Sequence, residues 1–471
     1  MKNDASHRAP TQAGLSRAIS RREAVAMSAI GLVGLSGMAL AGCGPQTPGN
    51  AAPTDVSTPS ADTPGTNAGN GVNAAEPPSS TSVVGATPGT TATMPAISEI
   101  PQTTSGDATD PASLVPGVTA KGIEQARATL ATMTLEQKVH QMFVVTPEAL
   151  TQVDVATLAS ETTRAALQAH PVGGIAYFAQ NLTDPEQTRT LLANTQAMAL
   201  ELNGVPLLLG VDEEGGTVAR IARNAAFGVT NPGDMRDVGA AGDSTYARDV
   251  ALTIGTYLRD LGFNLDFAPV CDVASNPDSD VMALRSFGSE PQLVADMVGA
   301  QVEGFGQAGM LCSAKHFPGI GAALGDSHEV QIVSEKSVEE LAAEELIPFE
   351  RAINSGVPLV MVGHLSLPNA TGSEEPACLN PQVATGILRE RLGFGGLAIS
   401  DSLSMGAVTQ YHGSGEAAVL AIQAGMDLLL MPEDFALALE GVLSAIADGT
   451  LTEERIDESV ARILALKFSR L

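Results

Sequence analysis

Eight short apolar runs, rich in β-branched residues, constrain the fold of this chain more than any other feature. They occupy residues 141–145, 173–178, 206–212, 264–269, 310–317, 358–364, 396–401 and 426–431. Segments with helical periodicity lie between or after them, at residues 244–261, 291–308, 337–355, 415–424 and 452–468. Alternation of this kind is typical of a parallel sheet covered by helices, and eight strands favour a closed barrel over an open sheet. We therefore expect an α/β fold, a single (β/α)8 TIM-type barrel, over residues 121–471.

The first 120 residues lack this alternation. Arg21 and Arg22 precede an uncharged apolar run that ends in Leu-Ala-Gly-Cys at residues 40–43, which predicts a signal peptide over residues 1–42. A transmembrane anchor is the alternative, but the run is short and rich in Gly and Ser. The four closing residues resemble the lipobox of bacterial lipoproteins, so we expect lipidation at Cys43 and attachment to the outer face of the cytoplasmic membrane.

Residues 43–120 form a second N-terminal segment of unusual composition. They contain no Lys or Arg and 12 of the 28 prolines of the chain, among Thr, Ser, Gly and Ala. Such a segment cannot bury a core, and we expect a disordered tether that lets the barrel reach away from the membrane.

Charge and composition exclude several classes of function. The net charge is −28, from 25 basic and 53 acidic residues, which makes a nucleic-acid partner unfavourable. The chain has no Trp, whereas long polysaccharide clefts commonly stack sugars on indole rings, so we do not expect such a cleft.

The folded part of the chain has three cysteines, Cys271, Cys312 and Cys378. Their spacing is not that of metal ligands, and we interpret all three as small buried apolar residues. We expect no metal, no cofactor and a monomer.

Polar residues collect where the apolar runs end. Asp212, Asp272, Lys315 with His316, His364 and Asp401 follow five of the predicted strands. Each residue by itself is better explained as a strand-end cap or a partner in a loop salt bridge. Five such strand ends together indicate an active site, because barrels of this kind place it at the C-terminal ends of their strands.

Two segments have the residue types for nucleophilic and acid–base chemistry. Asp401 ends an apolar strand that would hold a carboxylate rigidly, which suits a nucleophile, although an N-cap for a following helix is the alternative. In Asp326-Ser327-His328, the aspartate can fix the imidazole tautomer, so that His328 can donate and recover a proton. A surface Asp and His in a loop would have the same sequence.

Other charged residues have the chemistry to bind a ligand. Three consecutive acidic residues at 212–214 precede two glycines. We expect one of these acids to face a ligand hydroxyl or a basic residue. Metal binding is the rival interpretation, but no cluster of His or Asn accompanies the acids. Arg285 can act as a bidentate donor to a ligand oxygen or form a loop salt bridge. A buried Lys315 implies an acidic partner or a ligand rich in hydroxyls.

Together these motifs resemble glycoside hydrolase family 3, in the single-domain branch of β-N-acetylglucosaminidases. The resemblance runs from about residue 134 to the C-terminus, in motifs at residues 173–175, 212–220, 267–272, 285–288, 315–319, 326–328 and 400–405, with Asn181 and His364. It implies a retaining, two-step hydrolysis of terminal β-linked N-acetylglucosamine from cell-wall fragments or chito-oligosaccharides. The residue roles that it implies are Asp401 as nucleophile, His328 polarised by Asp326 as acid/base, and substrate binding by Asp212, Arg220, Arg285, Lys315, His316 and His364.

The chain departs from the family pattern at a few positions, and these leave other functions open. Ile320 stands where a second His is expected, Ala322 and Ala323 replace Asp and Thr, and Thr217 stands where Arg is frequent. A β-glucosidase or β-xylosidase on the same fold is one alternative. Phosphorolysis is another, because a neutral His repels phosphate less than a carboxylate does. A solute-binding lipoprotein would share the anchor and tether but would not need the residues at 326–328 or Asp401.

Overall fold

The computed structural model describes residues 110–277, 281–323, 325, 327 and 330–471. The predicted signal peptide, Cys43 and nearly all of the predicted tether lie outside the described residues, and so do Asp326 and His328. Within the described ranges, no helix combines the length and the apolar character needed to cross a membrane.

Eight parallel strands form the predicted barrel. In chain order the strands are β1 (Phe143–Val145), β2 (Gly174–Tyr177), β3 (Leu208–Val211), β4 (Glu213–Gly215), β5 (Val218–Ala219), β6 (Leu265–Asp266), β7 (Leu311–Phe317), β8 (Leu359–Val362), β9 (Leu397–Ser400) and β10 (Leu429–Leu430). The main sheet runs β10-β1-β2-β3-β6-β7-β8-β9, and β4 and β5 make a separate antiparallel hairpin. A parallel bridge between Ile399 and Leu428 joins the two ends of the sheet. The expectation of a closed (β/α)8 barrel is confirmed.

Helices cover the outside of the barrel. The longer ones are Ala120–Leu130, Glu161–Ala169, Pro185–Asn203, Ser244–Leu261, Pro291–Gln307, Leu346–Asn354, Ser414–Ala424, Phe435–Ala447 and Glu453–Arg470, with a π-helix at Gln382–Arg391. The shorter ones are Leu135–Gln141, Pro147–Thr151, Met235–Ala240, Val338–Ala343, Pro368–Thr371 and Gly406–Thr409. Single 3-10 turns lie at Pro111–Leu114, Ala179–Asn181, Ala225–Phe227 and Ala377–Leu379.

The segment with helical periodicity at residues 337–355 forms two helices. The structure has two helices there, Val338–Ala343 and Leu346–Asn354, with Glu344 between them at φ −136° and ψ −79°. Pro348 provides the physical reason, because a proline ring collides with the carbonyl group four residues earlier, here that of Glu344. The apolar periodicity continues through the break, so the sequence pattern gives no sign of it.

The core lies inside the barrel and between the strands and the helices. Strands β1, β2, β3, β6, β7, β8, β9 and β10 are buried along their whole length. The helices Ser244–Leu261 and Pro291–Gln307 approach closely at Gly304, where a Cβ atom would lie 2.3 Å from the carbonyl oxygen of Arg248. Cys271, Cys312 and Cys378 are buried and free, as expected. This rigid frame leaves the C-terminal strand ends and their loops to form a site.

Candidate active site

A cavity of about 370 Å³ opens at the C-terminal ends of the strands. Six of the predicted site residues line it, namely Asp212, Arg220, Arg285, Lys315, His316 and Asp401. Apolar side chains complete the wall, including Phe267, Ile320, Met405 and Met431. Strands distant in sequence therefore deliver these polar groups to one place, as the barrel topology predicts.

Lys315 and Arg285 meet on Glu214. The Nζ atom of Lys315 lies 2.7 Å from Oε1 of Glu214 and 2.8 Å from Oδ1 of Asp212. Arg285 donates to both oxygens of Glu214, at 2.8 and 2.7 Å. Burial disfavours the ionised carboxylate, but the charges of Lys315 and Arg285 hold the pKa of Glu214 well below its ordinary value. Burial likewise opposes the charge of Lys315, and Asp212 and Glu214 raise its pKa above the usual value.

Glu214 is a site residue that the sequence analysis did not select. The signal was present, because side chains alternate along an extended chain and residues two apart share a face. Asp212 and Glu214 accordingly face the cavity together, and Glu213 points the other way. The expectation that one of the three acids faces a basic residue holds for two of them, Asp212 and Glu214.

Glu213 orders the loop that carries Arg220. Its carboxylate accepts hydrogen bonds from the backbone N–H groups of Arg220, Ile221 and Ala222, at 2.6, 2.8 and 2.8 Å. The Tyr257 hydroxyl, on the helix Ser244–Leu261, donates to the same carboxylate at 2.8 Å. The guanidinium of Arg220 is thereby held 5.7 Å from the centre of the Phe178 ring and 3.5 Å from Oδ2 of Asp212.

Asp272 orients His316. The Nδ1 atom of His316 lies 2.7 Å from Oδ2 of Asp272, a carboxylate oxygen that accepts the hydrogen of Nδ1. The Nε2 atom lies 3.3 Å from NH2 of Arg285. The second oxygen of Asp272 accepts the N–H of Ile320 at 2.7 Å. Asp272 therefore fixes both an imidazole in the cavity and the start of the following loop.

Asp401 lies directly after β9 and is partly exposed to the cavity. Its backbone N–H donates to the Val362 carbonyl at 2.8 Å, and its Oδ1 accepts the N–H of Ser402 at 2.7 Å. Burial raises the pKa of Asp401, but His364, His316, the Ser402 N–H and Lys315 outweigh it and lower the pKa below its ordinary value. The carboxylate is therefore ionised at neutral pH, as a nucleophile must be.

His364 lies behind the strand end rather than among the residues that line the cavity. It is 1% exposed, and its Nε2 atom lies 2.9 Å from the carbonyl oxygen of Ser402. Its Nδ1 atom lies 3.2 Å from Sγ of Cys378. Direct contact between His364 and a substrate stays a prediction, whereas its contact with the segment after Asp401 is observed.

Ser327 marks where the loop predicted to carry the acid/base meets the cavity. It is buried and lines the cavity, and its carbonyl oxygen accepts the N–H of Ala407 at 3.2 Å. Downstream, the N–H of Ser334 donates to the Ser366 carbonyl at 2.9 Å. The roles of Asp326 and His328 stay predictions, because both residues lie outside the described part of the chain.

Two of the departures from the family pattern have visible consequences. Ile320 is buried and contributes an apolar side chain to the cavity wall. Thr217 is exposed at the turn between β4 and β5. Among the described residues, no group of three or more His, Cys, Asp and Glu side chains is placed to hold a metal ion.

Comparison with known proteins identifies the class. Residues 134–466 match the model of the glycosyl hydrolase family 3 N terminal domain. The match covers more than half of the chain, which therefore belongs to this family.

Several individual proteins are similar to this chain. The chain is 37% identical over 271 residues to beta-hexosaminidase LpqI of Mycobacterium tuberculosis, covering 56% of this chain and 68% of that protein. It is 33% identical over 361 residues to the beta-N-acetylglucosaminidase/beta-glucosidase of Cellulomonas fimi, covering 74% of this chain and 60% of that protein. Its structure matches a family 3 beta-N-acetylglucosaminidase from Paenibacillus sp. str. FPU-7 with a TM-score of 0.68 and 40% identity, covering 72% of this chain and 63% of that one. The chain thus spans less than two thirds of the last two relatives.

Proposed function

We propose that this chain is a retaining, exo-acting β-N-acetylhexosaminidase that removes terminal β-linked N-acetylglucosamine from cell-wall fragments or chito-oligosaccharides. The observation that carries the proposal is the ionised Asp401 carboxylate, which shares one cavity with Asp212, Arg285, Lys315 and His316. The names of the M. tuberculosis and Paenibacillus relatives support the amino sugar as the substrate.

The position of Asp401 and the resemblance to the family support a double displacement at the anomeric carbon. Asp401 attacks this carbon as the glycosidic bond breaks, and His328 gives a proton to the departing oxygen, with its tautomer set by Asp326. In the second step His328 takes a proton from water while the water oxygen bonds to the anomeric carbon. The bond between this carbon and Asp401 breaks, so the sugar is released with its configuration retained. Lys315, Arg285, His316, Asp212 and Arg220 bind the sugar hydroxyls and hold the anomeric carbon in place.

We further propose that the enzyme acts outside the cytoplasmic membrane. The lipobox-like residues 40–43 support lipidation of Cys43, and the proline-rich residues 43–120 support a tether between the lipid and the barrel. Replacement of Cys43 by Ala should release the protein from the membrane fraction without changing its specific activity. Retention of the variant in the membrane fraction would contradict the anchor.

The hydrolase proposal is tested with the full chain on an aryl β-N-acetylglucosaminide. We expect turnover by the wild type and a loss of at least about 10³-fold in kcat for Asp401→Ala, because no nucleophile is left. Asp249→Asn, which changes an exposed carboxylate, is the matched control and should keep the wild-type rate. No turnover by the wild type, or an active Asp401→Ala variant, would refute the proposal.

A β-glucosidase is the second candidate function, because the printed name of the C. fimi relative includes that activity. Comparison of kcat/KM for aryl β-N-acetylglucosaminide, β-glucoside and β-xyloside distinguishes the candidates. We expect the N-acetylglucosaminide to have the highest value. A higher value for the glucoside would favour the second candidate.

A further inference from the structure

Cys378 and His364 form a buried pair directly behind Asp401. His364 follows β8, and its Nδ1 atom lies 3.2 Å from Sγ of Cys378. Cys378 lies in the 3-10 turn Ala377–Leu379, which is tied to the same segment by a hydrogen bond from the Cys378 N–H to the Gly363 carbonyl at 3.1 Å. Both side chains are at most 1% exposed, so their relative position is set by packing.

The direction of the hydrogen bond to Ser402 follows from the partner. The Ser402 carbonyl oxygen, 2.9 Å from Nε2 of His364, only accepts, so Nε2 carries a hydrogen. Burial raises the pKa of the Cys378 thiol well above its ordinary value, so the thiol keeps its proton. This thiol lies against Nδ1, so the two ring nitrogens are held by Cys378 on one side and by the Ser402 carbonyl on the other.

The other end of this chain of contacts is Asp401. His364 holds the carbonyl group of Ser402. The backbone N–H group of the same residue donates to Oδ1 of Asp401 at 2.7 Å. Asp401 is fixed from its other side by its own N–H, which donates to the Val362 carbonyl at 2.8 Å. The imidazole therefore holds the backbone segment that orients the carboxylate.

We propose that Cys378 is a positioning residue that acts through His364. Its thiol contacts Nδ1 and fixes the orientation of the imidazole, and Nε2 of the imidazole holds the Ser402 carbonyl, which keeps the Asp401 carboxylate aimed into the cavity. The inference rests on the proposed function, in which Asp401 attacks the anomeric carbon. It assigns a role to a cysteine that the sequence presents only as a small apolar residue.

The first test separates the polar contact with Nδ1 from the volume of the side chain. In the full chain, Cys378→Ser keeps a donor and should retain kcat within about threefold, whereas Cys378→Ala should lose about tenfold in kcat with KM changed less than about twofold. Cys312→Ala makes the same change at another buried free cysteine and should leave kcat unchanged. An equal loss in Cys378→Ala and Cys312→Ala, or a wild-type kcat in Cys378→Ala, would overturn the proposal.

The second test reads the imidazole directly and does not depend on turnover. Two-bond proton–nitrogen correlations of the wild-type chain labelled with ¹⁵N-histidine should show a hydrogen on Nε2 of His364, with the signal assigned by its loss in His364→Gln. A ring protonated on Nδ1 alone would overturn the proposal. If the wild type shows no glycosidase activity, the proposed function fails, and these ring signals still decide the hydrogen bond.

Discussion

Glu214 is the residue on which the charged side chains of the cavity converge. It is 3% exposed and accepts from both Lys315 and Arg285, so it sets the distance between the two cations. Taking three charged groups out of water is unfavourable for stability, and their mutual attraction offsets this only while all of them are present. We therefore propose that the arrangement orients Lys315 and Arg285 for substrate hydroxyls.

Glu214→Gln removes that central charge with almost no change in shape. We expect the free energy of unfolding to fall by about 3 kcal/mol, because two buried cations lose part of their compensation. KM should rise, because Lys315 and Arg285 are no longer held together. Urea unfolding and steady-state kinetics measure the two effects. The matched control Glu201→Gln breaks the exposed pair with Arg164 and should change neither, so equal urea midpoints for the two variants would contradict this account.

At the scale of elements, the C-terminal helix Glu453–Arg470 brings a buried lysine against the barrel. Lys467 is 0% exposed, and its Nζ atom donates to Oε1 of Gln141 at 2.8 Å. Burial lowers its pKa from 10.5 to about 7. Between pH 7 and 10.5 the folded protein thus prefers the neutral amine of Lys467, whereas the unfolded chain carries the charged amine.

The sign of the resulting pH dependence follows from proton binding. Between pH 7 and 10.5 the unfolded chain binds more protons at Lys467 than the folded protein does, so this lysine makes stability rise with pH there. Lys467→Met should remove up to about 1.4 kcal/mol per pH unit from that slope and stabilise the protein at pH 7. Denaturant unfolding at a series of pH values checks this, with exposed Lys121→Met as control. An unchanged slope in Lys467→Met would refute the prediction.

At the scale of the whole molecule, the net charge of −28 contrasts with a balanced cavity. The described lining residues include three acids and three bases, namely Asp212, Glu214, Asp401, Arg220, Arg285 and Lys315. Each of the three cations already has a carboxylate partner. An approaching substrate therefore experiences the acidic surface rather than a basic pocket, which favours neutral saccharides over anionic ones.

This surface charge predicts a dependence on ionic strength. Raising it from about 0.01 M to about 0.15 M shortens the Debye length from roughly 30 Å to roughly 8 Å. We expect kcat/KM to rise for a disaccharide with a carboxylate on its reducing-end sugar and to stay nearly constant for the neutral analogue. Kinetics on the two substrates at both salt concentrations measure the difference. A parallel response of the two substrates would rule out electrostatic discrimination.

The periodicity of the chain by itself determined the barrel, because alternating apolar runs and amphipathic segments have few other ways to bury their apolar faces. It also determined which strand ends carry Asp212, Lys315, His316 and Asp401, since parallel strands bring their C-terminal ends to one face. The family motifs supplied the expected roles of these residues. The helix break at Glu344 escaped this reasoning, because Pro348 interrupts the backbone without interrupting the apolar pattern.

Only the tertiary structure decided which charges pair and which residues support them. Glu214 and Arg285 are 71 positions apart, Asp212 and Lys315 are 103 apart, and His364 and Ser402 are 38 apart. Local sequence does not specify such contacts, because they depend on strand register and on the exact positions of neighbouring loops. The same is true of the Cys378 thiol, whose proximity to His364 arises when a turn folds back on the end of β8. The chain thus encodes its barrel locally and completes its site through contacts between distant strands.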